Sequence, residues 1–136
     1  MSRLETVRRV AELREAAARA AVAAAQAARA EAEAEHGRRV AALSGVALSA
    51  GTAAQAHAEL AGAGRLAEGV TAARHAMSAR EDERGAAVTG WVDAARRARL
   101  LGEVCTRHRE QRDARLERST QHLLDDLSAS RTRRTS

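Results

Sequence analysis

The chain has no proline, phenylalanine, tyrosine, isoleucine or lysine, one tryptophan and one cysteine in 136 residues. The absence of proline removes the commonest helix breaker. The scarcity of β-branched and aromatic residues comes close to excluding a sheet protein. Lone Cys105 cannot form an internal disulfide, and no charged n-region followed by an apolar h-region opens the sequence, so a cytoplasmic protein is expected. Bulky apolar residues are few: 12 Leu, 9 Val, 2 Met and Trp91. A compact 136-residue domain needs more than these to offset its chain entropy.

What is abundant is helix-forming. Ala, Arg, Glu and Leu fill 84 of the 136 positions, which is the composition of a coiled coil or long helix. The 23 Arg and 18 acidic residues are interspersed, leaving a net charge of +5. That is the pattern of a solvated helix laced with ion pairs. All the cations being Arg is consistent with a genome-wide codon bias and carries no function. The longest charge-free stretch, residues 40–58, contains Ser44, Gly45, Ser49, Gly51, Thr52, Gln55 and His57, too polar for a membrane span.

Ser2-x-x-Glu5 is a capping box, so a first helix starts almost at the beginning of the chain. Leu4, Val7, Ala11, Ala18, Ala21, Ala25, Ala28 and Ala32 follow alternating spacings of three and four, with Arg14 interrupting one position. They predict a thin apolar stripe. Glu5 with Arg9, Glu15 with Arg19 and Glu35 with Arg39 are spaced i, i+4 in the favourable order. The pattern falters at Ser44-Gly45 and again at Ser49-Ala50-Gly51. Thr52-x-x-Gln55 then reads as a second capping box. Gly62-Ala63-Gly64 is a further candidate break.

The reading is an all-α protein: an antiparallel two-stranded coiled-coil helical hairpin with a broken apex, one domain over residues 1–136. Its first arm spans 2–50, its apex 45–64 and its second arm 65–128. A basic tail, 129–136, lacks apolar periodicity and is expected to be disordered. The uncharged apex is a plausible docking surface, because its desolvation is cheap; a loop of small residues is the plainer alternative. Trp91 lies with Val88, Val92 and Ala95 on an apolar face, and its expected job is packing against Ala of the other arm.

Chemistry is sparse. Cys105 with His108, His122 with Asp125, and Glu33 with His36 each share a helix face, but a di-iron site needs two Glu-x-x-His elements and two further Glu, and only one such element is present. The plainer reading of these histidines, and of His57 and His75, is as ordinary polar residues on exposed helix faces. No metal or other cofactor is therefore expected. No Gly-rich phosphate loop, nucleophile elbow or paired carboxylate is present, and no enzyme is expected. Arg96, Arg97, Arg99, Arg107, Arg109, Arg112, Arg115 and Arg118 crowd the second arm and make nonspecific nucleic-acid binding an alternative. Glu103, Glu110, Asp113 and Glu117 dilute them, and a single Trp gives no stacking platform. No specific nucleic-acid partner is expected.

The stretch 100–110, Leu100-Leu101-Gly102-Glu103-Val104-Cys105-Thr106-Arg107-His108-Arg109-Glu110, leads on to His122-Leu123-Leu124-Asp125-Asp126-Leu127 and a basic tail. Together with the break at Ser49-Ala50-Gly51-Thr52, this layout resembles the FliJ family of flagellar type III export proteins over nearly the whole length. The resemblance implies a coiled-coil stalk and escort chaperone, similar to the central stalk of a rotary ATPase. Its implied partners are a hexameric export ATPase, the export gate membrane protein and export chaperones, at the cytoplasmic face of the flagellar base. Carried over by position, it assigns Leu66, Gly69, Val70 and Ala73 to the gate-facing stripe and Arg8, Arg9, Arg131, Arg133 and Arg134 to the ring-facing end. The alternative is a structural coiled coil of another secretion or rotary ATPase machine.

Overall fold

A computed structural model describes residues 2–135 of the chain. The fold is all-α, an antiparallel two-helix hairpin made of α1, Arg3–Ser44, and α2, Ala53–Thr135. Both capping boxes form as their spacing predicts. The Ser2 amide donates to Glu5 Oε2 at 2.9 Å, and the Glu5 amide donates to Ser2 Oγ at 3.2 Å. At the start of α2 the Thr52 amide donates to Gln55 Oε1 at 2.9 Å, and the Gln55 amide to Thr52 Oγ1 at 3.3 Å. Each box satisfies amides that a helix N-terminus otherwise leaves without partners.

The connection is tighter than the 45–64 expected from sequence, because it occupies only residues 45–52. Gly62-Ala63-Gly64 lies inside α2, and no described glycine has a positive φ. Two glycines cost about 1 kcal/mol each in a helix interior, and the packing of Ala63 and Leu66 on the half-buried face offsets that. α1 ends at Ser44, where the Gly45 amide closes the last turn on the Ala41 carbonyl at 3.0 Å. The loop is then pinned by Glu59, whose carboxylate accepts from both the amide and the hydroxyl of Ser49. Gly51 has a local reason: a Cβ there would collide with the Gln55 side chain that caps α2.

The far end also differs from expectation. Residues 129–135, expected to be disordered, continue α2. Their hydroxyls are satisfied locally, with Ser130 donating to the Leu127 carbonyl at 2.9 Å and Thr132 to the Ser128 carbonyl at 3.0 Å. Arg133 and Arg134 sit in the last turn, where cations favour the negative end of the helix dipole.

Packing contacts divide the chain into two units, residues 15–94 and residues 2–14 with 95–135. In the first, Arg39 lies against Gly69, Arg29 pairs with Glu81 and Glu15 with Trp91. Numbering falls along one helix as it rises along the other, which is the antiparallel signature. In the second, Leu4 meets Cys105 and Glu5 meets Arg109.

The contact stripe of α2 is a seven-residue repeat, with Ala56, Ala63, Val70, Met77, Arg84, Trp91, Ala98 and Cys105 all buried or half-buried. The facing stripe of α1 keeps the predicted Leu4, Ala11, Ala18, Ala25 and Ala32. Ala28 also keeps its predicted inward place, whereas the earlier alternate positions are displaced by one residue from the prediction. Arg8, Glu15 and Val22 turn inward, while Val7 is 46% exposed. The sequence stripe favoured Val7 for its side chain; among the inward positions Val22 is buried, while Arg8 and Glu15 are long polar groups that reach partners from the edge of the seam.

Gly85 and Gly90 are exposed in α2, and a Cβ at either meets nothing within 4 Å. Replacing each with Ala should stabilise the chain by about 1 kcal/mol, read from urea unfolding midpoints. Gly51→Ala should destabilise it in the same assay by disrupting the α2 cap.

Candidate interaction surfaces

The thin seam brings together side chains that the sequence reading had treated separately. Trp91 Nε1 donates to Glu15 Oε1 at 2.9 Å, and Arg19 holds the same carboxylate oxygen at 2.6 Å. Trp91 is thus half-buried and meets α1 through Glu15, its indole N–H satisfied by that carboxylate. Further along the same unit, Glu81 bridges Arg29 of α1 at 2.5 Å and Arg84 of its own helix at 2.7 Å. In the other unit, Arg109 reaches Glu5 at 3.1 Å. Glu5 had been expected to pair with Arg9. Its carboxylate instead serves the capping box and the facing helix.

These partners set the carboxylate acidities. Glu5 is lowered from 4.5 to about 2, chiefly by the Ser2 backbone hydrogen bond and then by Arg109. Glu15 is lowered first by the Trp91 indole and then by Arg19, and Glu81 first by Arg84. Glu59 is lowered by the Ser49 hydroxyl and amide, and Glu35 by Arg39 and Arg38.

The residues assigned to the export gate fall together. Leu66, Gly69 and Val70 are half-buried and Ala73 is 8% exposed, so all four lie on the α2 stripe that faces α1. The Arg39 guanidinium occupies the space beside Gly69, where a Cβ would stand 3.1 Å from Nη1. This stripe is therefore a packing surface in the hairpin, open to a partner only along the edges that Leu66 and Val70 leave exposed. The apex presents more free apolar surface: Leu48 is 62% and Leu60 58% exposed, in a segment whose only nearby carboxylate, Glu59, is occupied by Ser49.

The residues assigned to the ATPase ring separate into two groups. Arg8 is half-buried and paired with Glu12 at 2.6 Å, and Arg9 beside it is exposed. Arg131, Arg133 and Arg134 are exposed on α2. Since Glu5 of α1 meets Arg109, the second group lies about 33 Å farther along α2 at 1.5 Å per residue. Between them runs a feature the sequence reading missed, a row of exposed leucines on α2 comprising Leu116, Leu123, Leu124 and Leu127. The signal was present as an apolar spacing of three and four, but it was read as the closing stretch of a paired arm.

Of the pairs considered as metal ligands, Cys105 and His108 differ in burial. Cys105 is buried with Sγ 3.8 Å from the Leu4 carbonyl, whereas His108 is exposed on the same helix. Among the described residues no group of three or more His, Cys, Asp or Glu is arranged to hold a metal ion. Among them, too, no helix is long and apolar enough to cross a membrane.

Fold and surfaces together define an antiparallel two-helix protein whose seam is lined mainly by alanine. The whole chain, residues 1–136, matches the family described as Flagellar FliJ protein, and it belongs to that family. It is therefore a flagellar export-related protein. Neither the curated proteins nor the solved structures contain a match.

The carboxylates give a pH dependence whose sign is fixed. With folded acidities stronger than unfolded ones, the unfolded chain binds more protons between about pH 5 and 2, so stability is present above that window and lost as pH falls through it. The urea midpoint should drop on acidification, and Glu15→Gln should flatten part of that slope. An equally steep slope in the variant would remove Glu15 from the account.

Proposed function

We propose that this chain is the stalk and escort component of a flagellar export apparatus, a structural part that links the export ATPase ring to the export gate at the cytoplasmic face of the flagellar base. Export chaperones are further partners. The observation that carries the reading, beside family membership, is the single-helix end of α2. Residues 115–135 are exposed throughout, slender enough to enter a ring and tipped with Arg131, Arg133 and Arg134. Arg8 and Arg9 stand farther back, where they meet the rim in place of the interior. Arginine contacts with acidic side chains of a ring are screened by salt, so the association is salt-sensitive.

The gate contact falls on the segment holding Leu66, Gly69, Val70 and Ala73, entered from the exposed edge of Leu66 and Val70. The alternative of nonspecific nucleic-acid binding has less support. Arg99, Arg109 and Arg112 of the second arm are already within 4 Å of Glu103, Glu5 and Asp113, at 3.7, 3.1 and 3.8 Å.

Removal of residues 130–136 is expected to weaken binding to a purified export ATPase at least several-fold and to lower its stimulation, with the unfolding midpoint unchanged. Equal affinity would contradict end-on insertion. Leu66→Asp is expected to weaken binding to the cytoplasmic part of the gate. Because Leu66 also packs on α1, helicity and melting are measured in parallel, with exposed Thr71→Asp as the control. If the Leu66 variant remains folded and binds the gate undiminished, the contact lies elsewhere.

A further inference from the structure

The stripe assigned to the gate is covered in the free chain, and the segment that covers it is held less firmly than the rest of its unit. Arg39 lies against Gly69 and Arg29 meets Glu81, so in the antiparallel order between them His36 falls level with Ala73 and Ala32 with Met77. Residues 30–44 of α1 therefore close over Leu66, Gly69, Val70 and Ala73, and they leave Ala73 only 8% exposed. Among the described residues no hydrogen bond or ion pair crosses from this segment to α2. The polar contacts that do cross within the unit are Arg29 with Glu81, just before the segment, and Glu15 with Trp91, farther back. Past its other end it is the loop that is fastened, through Ser49 and Glu59.

Three features lower the cost of lifting this segment. Its half-buried residues are Ala32, Glu35, His36 and Leu43, of which Leu43 alone buries a large apolar side chain. His36 Nε2 is buried without a hydrogen-bond partner, and a polar atom in that state forgoes the hydration it regains on exposure. The ion pairs of the segment are internal to α1, Arg38 with Glu31 and Glu35 and Arg39 with Glu35, so they survive when the helix moves away.

We propose that residues 30–44 are an autoinhibitory cover, and that full contact with the gate requires this segment to lift from α2. The inference rests on the reading that the stripe meets the gate, and adds the regulation of that contact. Entry from the edge alone reaches two half-buried side chains, Leu66 and Val70. Lifting α1 adds Gly69 and Ala73, whose small size lets a partner helix approach closely. The free chain then binds with an affinity reduced by the fraction of molecules that are open. The stripe is withheld from other apolar surfaces until a partner competes with α1 for it.

A lock across the seam tests this. Ala32→Cys with Met77→Cys, in a Cys105→Ala background, sets two thiols at facing positions outside the four stripe residues, and free-thiol titration reports closure of the disulfide. Oxidation is expected to lower the affinity of the full chain for the purified cytoplasmic part of the gate at least tenfold, and reduction to restore it. His36→Leu replaces an unpartnered imidazole by an apolar side chain and so holds α1 down more firmly. It is expected to raise the urea midpoint and yet weaken gate binding at least threefold, a combination that structural damage does not produce. Equal affinity in the oxidised and reduced chains, or undiminished gate binding in His36→Leu, would overturn the cover. Leu66→Asp separates this from the reading beneath it. If that substitution abolishes gate binding while neither the lock nor His36→Leu has an effect, the stripe is the site and the cover is wrong. If binding survives Leu66→Asp in a folded chain, the stripe is not the site and the cover falls with it.

Discussion

Two helices faced mainly with alanine can approach closely, but each alanine buries too little surface to fix how one helix slides along the other. Everything else in this structure depends on how that weakness is met. Within residues 15–94 the seam includes two polar contacts, Trp91 with Glu15 and Glu81 with Arg29. Within the other unit Glu5 and Arg109 do the same, beside the buried contact of Cys105 with Leu4. Such contacts add little binding energy at half-exposed positions. Their effect is on register, because a helix displaced by one turn leaves the Trp91 indole and the Glu81 carboxylate facing alanine. Polar groups in a helical seam are best attested in this aligning role.

The same contacts explain which parts of the fold could be read from sequence. The capping boxes at Ser2 and Thr52, and the ion pairs of Glu15 with Arg19 and Glu35 with Arg39, were legible because every partner lies within four residues. The inward rotation of Arg8, Glu15 and His36 was not, because it depends on which residues of α2 stand opposite. Gly62 and Gly64 carry a local signal for a break that tertiary packing overrides. The tail illustrates a different limit. Ser128, Thr132 and the terminal arginines have poor apolar periodicity, yet their hydroxyls and charges suit a helix end, so periodicity alone underestimated how far α2 extends.

The candidate surfaces divide along the same line. The family resemblance identified the kind of protein correctly, and the match over residues 1–136 establishes it. Position-by-position transfer placed Leu66, Gly69, Val70 and Ala73 on the stripe that the hairpin uses for its own packing. Here Gly69 and Ala73 are small, and what projects is found elsewhere: Leu48 and Leu60 near the connection, and the leucine row of the α2 end. A protein with so little core has few ways to hold a partner except through such exposed leucines and its many arginines.

The claim on which the account rests is that α1 and α2 pair antiparallel in one fixed register despite the alanine seam. Spin labels at Ala20 and Thr89, both exposed and both within residues 15–94, report on it directly in a Cys105→Ala background. Pulsed dipolar spectroscopy should give a single narrow distance below about 25 Å, the range of adjacent packed helices carrying flexible labels. A broad distribution, or one with several maxima spaced by helical turns, would contradict it.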